Sequence, residues 1–292
     1  MKQKIGFIGL GIMGFPAAVN LLRGGFDVVG YSLDNLGKFA AAGGIVAASS
    51  AEVAKSADII VHCLPLAEAL DDVVYGPNGI LKTLRPGSVV IELSSYALED
   101  KERLLTALNG VGAHLLDCEM TSRAGQETVA NREFCILISG DPKTCETMQP
   151  VFDGMTDNSF YIGPFGSSLT VKLVINHLVS IHIMAAVETI SLGIKAGLDP
   201  NVLIGLLEKS AGDSAVIRKY GSRIATRSFD ENIGGTVRVF SKYFNLIETL
   251  ARSAEAATPL FHITHQYYRR ALEAGFEKRD ISSIFEILHA DR

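Results

Sequence analysis

The sequence has few cysteines, and none of them has the spacing of a metal site or a redox pair. Its cysteines contain no CxxC pair and fall mostly in apolar, strand-like segments. This pattern predicts reduced, buried thiols rather than disulfides or a metal site. The cysteines are Cys63, Cys118, Cys135 and Cys145. His262 and His265 have a helical spacing, but no nearby acid or thiol completes a ligand set, so we expect no zinc site.

Long runs of basic or of apolar residues are also missing. The net charge is −5 and no long cluster of lysine and arginine occurs, which argues against a nucleic-acid partner. No apolar run reaches the ~18 residues of a membrane-spanning helix without an interrupting Lys, Asn or Gly. The segment from Leu173 to Ala196 comes nearest, but we predict a buried helix of a soluble protein because polar residues interrupt it. These residues are Asn176, His177, His182, Glu188 and Lys195.

The N-terminus lacks the cleavage site of a secretory signal. Met1 to Lys4 is basic and apolar residues follow, but glycines break the apolar part and no small-residue cleavage site comes at the expected distance. We therefore predict a cytoplasmic protein whose first strand begins here.

The chain has the length and the pattern of two domains. At 292 residues it exceeds the usual size of one domain, roughly 100 to 200 residues. Up to about residue 162, β-rich runs alternate with helical segments, which predicts an α/β fold with a mostly parallel sheet. After Gly166 only helices are predicted, with a break from Gly197 to Pro200. The predicted strands are Lys4 to Gly9, Asp27 to Tyr31, Asp58 to Leu64, Ser88 to Leu93, Ala113 to Asp117 and Phe134 to Ser139.

A glycine-rich turn follows the first predicted strand and opens a helix. In a GxGxxG turn, the first glycine permits the tight bend, the second lets backbone approach a pyrophosphate, and the third lets helix and strand pack closely. The helix N-terminus adds N–H groups and a partial positive charge. Because a second strand also follows at the right distance, we predict dinucleotide binding rather than a merely structural turn. The loop residues are Gly9, Leu10, Gly11, Ile12, Met13 and Gly14.

The end of the second predicted strand leaves the choice between NAD and NADP open. An acid at this position favours NAD through the ribose 2′-hydroxyl, and an arginine favours NADP. Ser32 holds the position, so we assign it to the cofactor site. Asp34 is close enough in sequence to reach a ribose, and Lys38 to reach a 2′-phosphate.

Lys172 and Asn176 are polar residues in an otherwise almost wholly apolar helical stretch. On a helix, four residues advance about 400° and about 6 Å, so both side chains leave the same face one turn apart. An unpaired buried ammonium is costly, which suggests a function. The residues alone leave two interpretations open: a pair that binds one molecule together, or a lysine that reaches solvent beside an asparagine that bonds buried backbone.

Five short segments follow one another along the chain and can be compared with known families as a set. They are Ile8 to Gly14, Cys63-Leu64-Pro65, Glu92 to Ser95, Gly163 to Asn176, and Gly275 to Ile284. In this order they resemble the β-hydroxyacid dehydrogenase family, which includes 3-hydroxyisobutyrate dehydrogenases and tartronate semialdehyde reductases. The resemblance covers nearly the whole chain. It implies an N-terminal Rossmann dinucleotide-binding domain, residues 1–163, followed by an all-helical domain for substrate binding and dimerisation, residues 164–292.

The resemblance also implies roles for individual residues. Lys172 stands in the place of the catalytic lysine, and Asn176 in that of its partner asparagine. The remaining implied contacts are Leu64 and Pro65, which match the loop after the family's fourth strand, Ser95 beside the nicotinamide, and Lys242 near cofactor and substrate.

The substrate segment departs from the family pattern. The family typically reads Asp-Ala-Pro-Val-Ser-Gly-Gly, whereas Asp117 to Arg123 reads Asp-Cys-Glu-Met-Thr-Ser-Arg, followed by an apparent two-residue insertion. Thr121 keeps the hydroxyl, or Ser122 does under a shifted alignment. We expect these two side chains and Arg123 to contact the substrate, because a guanidinium suits a carboxylate or phosphate. Orientation of Arg123 to solvent is the alternative. Tyr243 replaces an aspartate of the family, which leaves the orientation of Lys242 open.

The implied reaction is hydride transfer between NAD(P) and a small 3-hydroxy acid or sugar acid and its semialdehyde, with Lys172 as general acid/base. Desolvation and the Lys242 ammonium are expected to lower the pKa of Lys172 from its free value near ~10.4. One alternative is an NADPH-dependent reductase like the imine reductases, which usually lack the lysine. Another is a non-catalytic NAD(P)-binding module, against which Lys172 and Asn176 argue. Apolar faces of the helical half suggest a homodimer or homotetramer.

Overall fold

The computed structural model describes residues 3–123, 125–230 and 235–291. The chain divides into two compact units, one ending at Lys172 and the other starting at Leu173. An eight-stranded sheet in the order β3-β2-β1-β4-β5-β6-β7-β8 forms the first unit. Its strands are β1 Lys4–Ile8, β2 Asp27–Tyr31, β3 Ile45–Val46, β4 Ile59–His62, β5 Val89–Glu92, β6 His114–Thr121, β7 Cys135–Ser139 and β8 Asn158–Gly163.

The sheet separates two hydrophobic cores. Alternate residues of a strand point to opposite faces, so Ile5 and Phe7 of β1 enter one core while Ile8 enters the other. Helices cover both faces, as the alternating sequence pattern predicts. These helices are α1 Gly14–Arg23, α2 Leu36–Ala41, α3 Ser50–Ser56, α4 Glu68–Leu70, α5 Leu98–Gly110, α6 Gln126–Ala130, α7 Pro142–Thr147 and α8 Gln149–Met155. A π-helical turn, Asp71–Tyr75, continues α4, and a 3-10 turn covers Ile80–Lys82.

The prediction of a mostly parallel sheet is confirmed. Among the paired strands, only β6 and β7 run antiparallel. All six predicted strands are present, and the sequence missed β3 and β8. The two residues of β3 are exposed, and β8 carries Phe160 and Tyr161 half exposed, so neither strand has the apolar signature of a buried strand.

The largest boundary error concerns β6, predicted to end at Asp117. The strand continues to Thr121 because Met120 and Thr121 pair with Ile136 and Cys135 of β7. The first five residues of the predicted substrate loop therefore lie on a strand, and the hydrogen bonds of the sheet hold their backbone in place.

The second unit is helical. The described residues after Gly166 form no strand and only an isolated bridge between Thr236 and Asp280. The predicted break is confirmed: Gly197 has φ +86°, and the Asp199 carboxylate accepts hydrogen bonds from backbone N–H groups at the start of α10. The helices are α9 Ser167–Lys195, α10 Pro200–Leu207, α11 Ala215–Thr226, α12 Val237–Ser253, α13 Pro259–Glu273 and α14 Ile284–Ala290, with a 3-10 turn Ile281–Ser283.

Helix α9 is less buried than its sequence indicates. Val174, Leu178 and Leu192 are 58%, 52% and 70% exposed, so the expectation of a buried helix is correct for only part of its surface. Val174 and Leu178 are one turn apart, and Leu192 lies on the same helix face nearly four turns later; we call these three residues the exposed stripe. By length and composition α9 is also able to cross a membrane, a test that the core helix of a globular protein passes equally.

The four cysteines form no disulfide. Cys118 and Cys145 are buried, whereas Cys63 and Cys135 are only half-buried, so the expectation of burial is correct for two of them. The predicted domain boundary between residues 163 and 164 coincides with the end of β8 and stays a prediction.

Candidate active site

The glycine loop has the local geometry that dinucleotide binding requires. Gly9 has φ +98°, and a Cβ on it would come within 2.2 Å of the Cys63 carbonyl oxygen. A Cβ on Gly14 would lie 1.9 Å from the carbonyl oxygen of Gly9. A Cβ on Gly11, by contrast, would meet no atom within 4 Å, and Gly11 is exposed. Packing therefore requires the outer glycines, while the middle one leaves open space for a ligand to approach the backbone.

The predicted cofactor residue Ser32 supports this loop from the end of β2. Its Oγ accepts hydrogen bonds from the backbone N–H of Leu10 at 3.1 Å and of Asp34 at 3.3 Å. Asn35, in a left-handed conformation at φ 62°, donates from Nδ2 to the Leu10 carbonyl oxygen at 2.8 Å. The sequence placed Ser32 in the cofactor site but did not indicate its support of the loop, and it missed Asn35 altogether.

A second set of hydrogen bonds joins the loops that follow β4 and β5. The backbone N–H of Leu64 donates to Ser94 Oγ at 2.7 Å, and the N–H of Ser94 donates to Glu92 Oε1 at 2.9 Å. The other carboxylate oxygen of Glu92 lies 3.2 Å from Nδ1 of His62, and both side chains are buried. The segments that carry Leu64, Pro65 and Ser95 are thereby tied together at the carboxyl ends of neighbouring parallel strands, where ligands of such sheets bind.

Three charged side chains lie fully buried beside Ser95. Lys101 Nζ donates to Asp117 Oδ1 and to Glu119 Oε1, the latter at 2.7 Å, and Ser95 Oγ donates to Glu119 Oε2. Lys101, Asp117 and Glu119 are each 0% exposed. We call these three residues the buried charge cluster. No sequence pattern indicates a role for Lys101 or Glu119.

The buried charge cluster shifts the pKa values of Lys101 and Glu119. Burial raises the pKa of Glu119; the charge of Lys101 opposes this, and the weaker effect of Asp117 adds to it. Burial alone would lower the pKa of Lys101, but Glu119 and Asp117 together raise it above its ordinary value. The lysine is therefore held as a cation between the two carboxyl groups.

Lys172 lies at the end of β6, beside the predicted substrate segment. Its Nζ donates a hydrogen bond to the Met120 carbonyl oxygen at 2.6 Å, and the side chain is half-buried. One turn earlier on α9, Ser168 Oγ donates to Asp117 Oδ2 at 2.6 Å. The Leu169 N–H also points to Asp117 Oδ2, at 3.4 Å. Both ends of this helical turn are therefore attached to β6.

The predicted substrate residues follow directly on the strand. Thr121 and Ser122 are half-buried and Arg123 is exposed. Ser122 Oγ accepts a hydrogen bond from the Gly125 N–H at 3.1 Å, which folds the turn after β6. The structure thus places Lys172 and this segment together, whereas the contact of Arg123 with a substrate stays a prediction.

The remaining predicted residues belong to the second unit. Asn176 is buried and lies on α9 one turn after Lys172, as the sequence spacing predicts. Lys242 is on α12, where its Nζ lies 5.1 Å from the centre of the Tyr243 ring. Tyr243, which replaces the family's aspartate, therefore gives the Lys242 ammonium an aromatic neighbour on the same helix.

Two known sequence families together match nearly the whole chain. Residues 4–163 match the family described as the NAD binding domain of 6-phosphogluconate dehydrogenase. Residues 166–288 match the family described as NAD-binding of NADP-dependent 3-hydroxyisobutyrate dehydrogenase.

Individual proteins are similar over most of their length. The NAD-dependent L-serine dehydrogenase of Pseudomonas aeruginosa is 29% identical, covering 97% of this chain and 97% of its own. The mitochondrial 3-hydroxyisobutyrate dehydrogenase of Mus musculus is 31% identical over 99% of this chain and 88% of its own.

Solved structures support the same fold. The 3-hydroxyisobutyrate dehydrogenase of Salmonella typhimurium superimposes with a TM-score of 0.90 at 26% identity, over 98% of this chain and 100% of that one. An imine reductase from Pseudomonas sp. has a TM-score of 0.60 at 19% identity, over 99% of this chain and 100% of its own, and is similar in fold alone.

Proposed function

The chain belongs to the β-hydroxyacid dehydrogenase family and is an NAD(P)-dependent oxidoreductase, and from this premise we propose that Lys172 is the general acid/base for its substrate. We propose a small 3-hydroxy acid or sugar acid, interconverted with its semialdehyde. By their names, the related enzymes act on L-serine and 3-hydroxyisobutyrate, which both carry a hydroxyl on the third carbon of a carboxylic acid. The observation that carries the proposal is the hydrogen bond of Lys172 to Met120, which sets the amine beside the substrate segment.

The residues of the first unit fit a dinucleotide. The open space at Gly11 and the N-terminus of α1 suit a pyrophosphate, and the loops that carry Ser32, Leu64 and Ser95 meet at one edge of the sheet. When bound, the nicotinamide ring supplies or accepts the hydride. The proposed contacts are residues Gly9 to Gly14, Ser32, Leu64, Pro65 and Ser95, with Lys242 added from the family resemblance alone.

Lys172 has the chemistry that the substrate hydroxyl requires. An alcohol does not release a hydride while it keeps its proton, so a nearby base must take that proton, and an acid must return it in the reverse direction. The bond to the Met120 carbonyl restricts an otherwise flexible four-carbon stem, so the nitrogen stays at the end of β6. We propose that Asn176, one turn further along the same helix, holds the substrate hydroxyl or orients Lys172.

The segment after Met120 is proposed to bind the acid group of the substrate. Thr121 and Ser122 offer hydroxyls beside Lys172, and Arg123 offers a guanidinium that suits a carboxylate. An exposed arginine at the end of a strand reaches a soluble acid without the cost of burying its own charge.

A substrate screen tests the proposed function. Purified protein is assayed for NADH and NADPH formation with L-serine, 3-hydroxyisobutyrate, L-threonate and sugar acids, and in the reverse direction with semialdehydes and imines. We expect turnover of at least one hydroxy acid or semialdehyde. Turnover of imines alone would replace this function with the reductase alternative, and NAD(P) binding without turnover of any of these compounds would favour the non-catalytic module.

The cytoplasmic location and the homodimeric or homotetrameric assembly stay predictions from the sequence. The exposed stripe of Val174, Leu178 and Leu192 on α9 supports assembly, because contact between copies would remove apolar surface from water.

A further inference from the structure

The buried charge cluster connects two parts of the candidate site. Lys101 comes from α5, whereas Asp117 and Glu119 are alternate residues of β6 whose side chains leave the same face of the sheet. A single ammonium therefore holds two carboxyl groups side by side. Each carboxyl group has its second oxygen turned toward a different partner.

The second oxygen of Glu119 accepts from Ser95, in the segment after β5 that is assigned to the cofactor. The second oxygen of Asp117 accepts from Ser168 at 2.6 Å and from Ser139 at 3.1 Å. Ser168 lies four residues before Lys172 and thus one turn away on α9. The contact of Glu119 with Ser95 connects the cluster to the cofactor segment, and we call it the Glu119 arm. The contacts of Asp117 with the start of α9 connect the cluster to Lys172, and we call them the Asp117 arm.

Stability of the fold does not account for this arrangement. Removing three charges from water is expensive, and well-packed apolar residues in place of a buried ionic group often stabilise a protein equally or better. Here all three side chains are 0% exposed, so the full cost of desolvation applies. A cluster of this kind is more readily explained by the geometry that it imposes on its neighbours.

We propose that Lys101, Asp117 and Glu119 are positioning residues, in which Glu119 sets the hydroxyl of Ser95 and Asp117 sets the first turn of α9 and with it Lys172. This inference rests on the proposed function, since it concerns the same cofactor and the same base.

The Glu119 arm sets the direction of the Ser95 hydrogen bonds. A serine hydroxyl has one proton, and the proton of Ser95 goes to the Glu119 carboxylate. Every other hydrogen bond of the Ser95 hydroxyl must then be as an acceptor. Ser95 consequently presents an oxygen to a donor group, such as the amide N–H of a nicotinamide.

The Asp117 arm acts as a distant cap of α9. The first N–H groups of a helix have no partner within it, and a carboxylate near them is stabilising. Asp117 accepts from the Leu169 N–H as well as from the Ser168 hydroxyl, so it fixes the turn that ends at Lys172. Loss of the charge would loosen this turn and the bond between Lys172 and Met120.

Two near-isosteric variants separate the arms. Glu119→Gln is expected to weaken the binding of NADH or NADPH about tenfold, the usual worth of a hydrogen bond to a charged group, while kcat at saturating cofactor changes less than about threefold. Asp117→Asn is expected to lower kcat about tenfold and to leave cofactor affinity within about twofold of the wild type. Cofactor affinity is measured by fluorescence titration without substrate.

A double-mutant cycle tests whether Glu119 acts through Ser95. Ser95→Ala should weaken cofactor binding as Glu119→Gln does. The affinity of the double variant for the cofactor should be no lower than that of the single variant that binds less tightly. Fully additive losses, or unchanged affinity in Glu119→Gln, would overturn the Glu119 arm. Unchanged kcat in Asp117→Asn would overturn the Asp117 arm, and equal losses of both constants in both variants would show a general structural role instead.

Asp141→Asn is the matched control. Asp141 is a carboxylate of the same unit that caps α7 through the Thr144 N–H at 2.8 Å, remote from Ser95 and Lys172 in sequence. Its loss is expected to change neither constant. If the wild type itself fails to bind NADH and NADPH, the proposed function is wrong. If the wild type binds and turns over while the variants match it, only the positioning role is wrong.

Discussion

Substitution of Lys101 by methionine is expected to destabilise the first unit strongly. Methionine keeps most of the volume and removes the charge, so Asp117 and Glu119 lose their shared cation while both stay 0% exposed. Breaking a buried ionic group by removing one partner typically costs about 3–5 kcal/mol. For a domain of this size, that loss corresponds to a fall in Tm of about 6–20 °C. Urea unfolding at neutral pH, followed by circular dichroism, measures the change in the free energy of unfolding.

A combined variant identifies the cause of this loss. In Lys101→Met/Asp117→Asn/Glu119→Gln no charge is left in the cluster, so stability should return toward the wild type even though more hydrogen-bonding groups have been altered. Lys195→Met serves as the control, because Lys195 is exposed at the end of α9. A loss below about 1 kcal/mol in Lys101→Met would refute the reasoning, since it would show that the two carboxyl groups do not depend on the lysine.

Three further outcomes are expected. Gly14→Ala should abolish NAD(P)H binding in fluorescence titrations, because its Cβ would lie 1.9 Å from the Gly9 carbonyl oxygen. The control Gly37→Ala should bind normally, because its Cβ would meet no atom within 4 Å. Equal binding by the two variants would contradict the role of the loop. Arg123→Ala should raise KM for acidic substrates about tenfold or more with little change in kcat, and an unchanged KM would place the residue outside the site. Burial raises the pKa of Glu119 above its ordinary value, so the folded state binds its proton more tightly than the unfolded state does. The stability of the wild type relative to Glu119→Gln should therefore increase as the pH falls from neutral toward the ordinary pKa of a glutamic acid; parallel pH profiles from urea unfolding would contradict this.

The sequence predicts the fold well where the local pattern and the tertiary environment agree. Strands β1, β2, β4 and β5 are apolar runs between turn residues, and their positions follow from composition alone. The end of β6 does not follow, because Asp117 and Glu119 are polar residues that become buried only through Lys101, many residues earlier in the chain. No local pattern shows such a partner.

In the candidate site, too, the sequence predicts the residues that a local pattern marks and misses those that depend on tertiary contacts. The glycine loop and Lys172 are visible in the sequence, because spacing and an anomalous charge mark them. The support of the loop by Ser32 and Asn35 depends on side chains that meet the backbone of Leu10 across the sheet edge. The exposed stripe of α9 was likewise hidden, since an apolar helix has the same sequence whether its faces are covered or open.

The most direct test of the central claim is the rate of hydride transfer in Lys172→Met, compared with the wild type on the hydroxy acid that gives the highest turnover. General acid/base catalysis typically contributes ~10²–10⁴-fold, so we expect kcat to fall by at least about 100-fold while the affinity for NAD(P)H, measured by fluorescence titration, stays within about threefold. Lys195→Met on the same helix should retain full activity. A kcat of Lys172→Met within about fivefold of the wild type, with intact cofactor binding, would contradict the assignment of Lys172 as the proton-transfer residue.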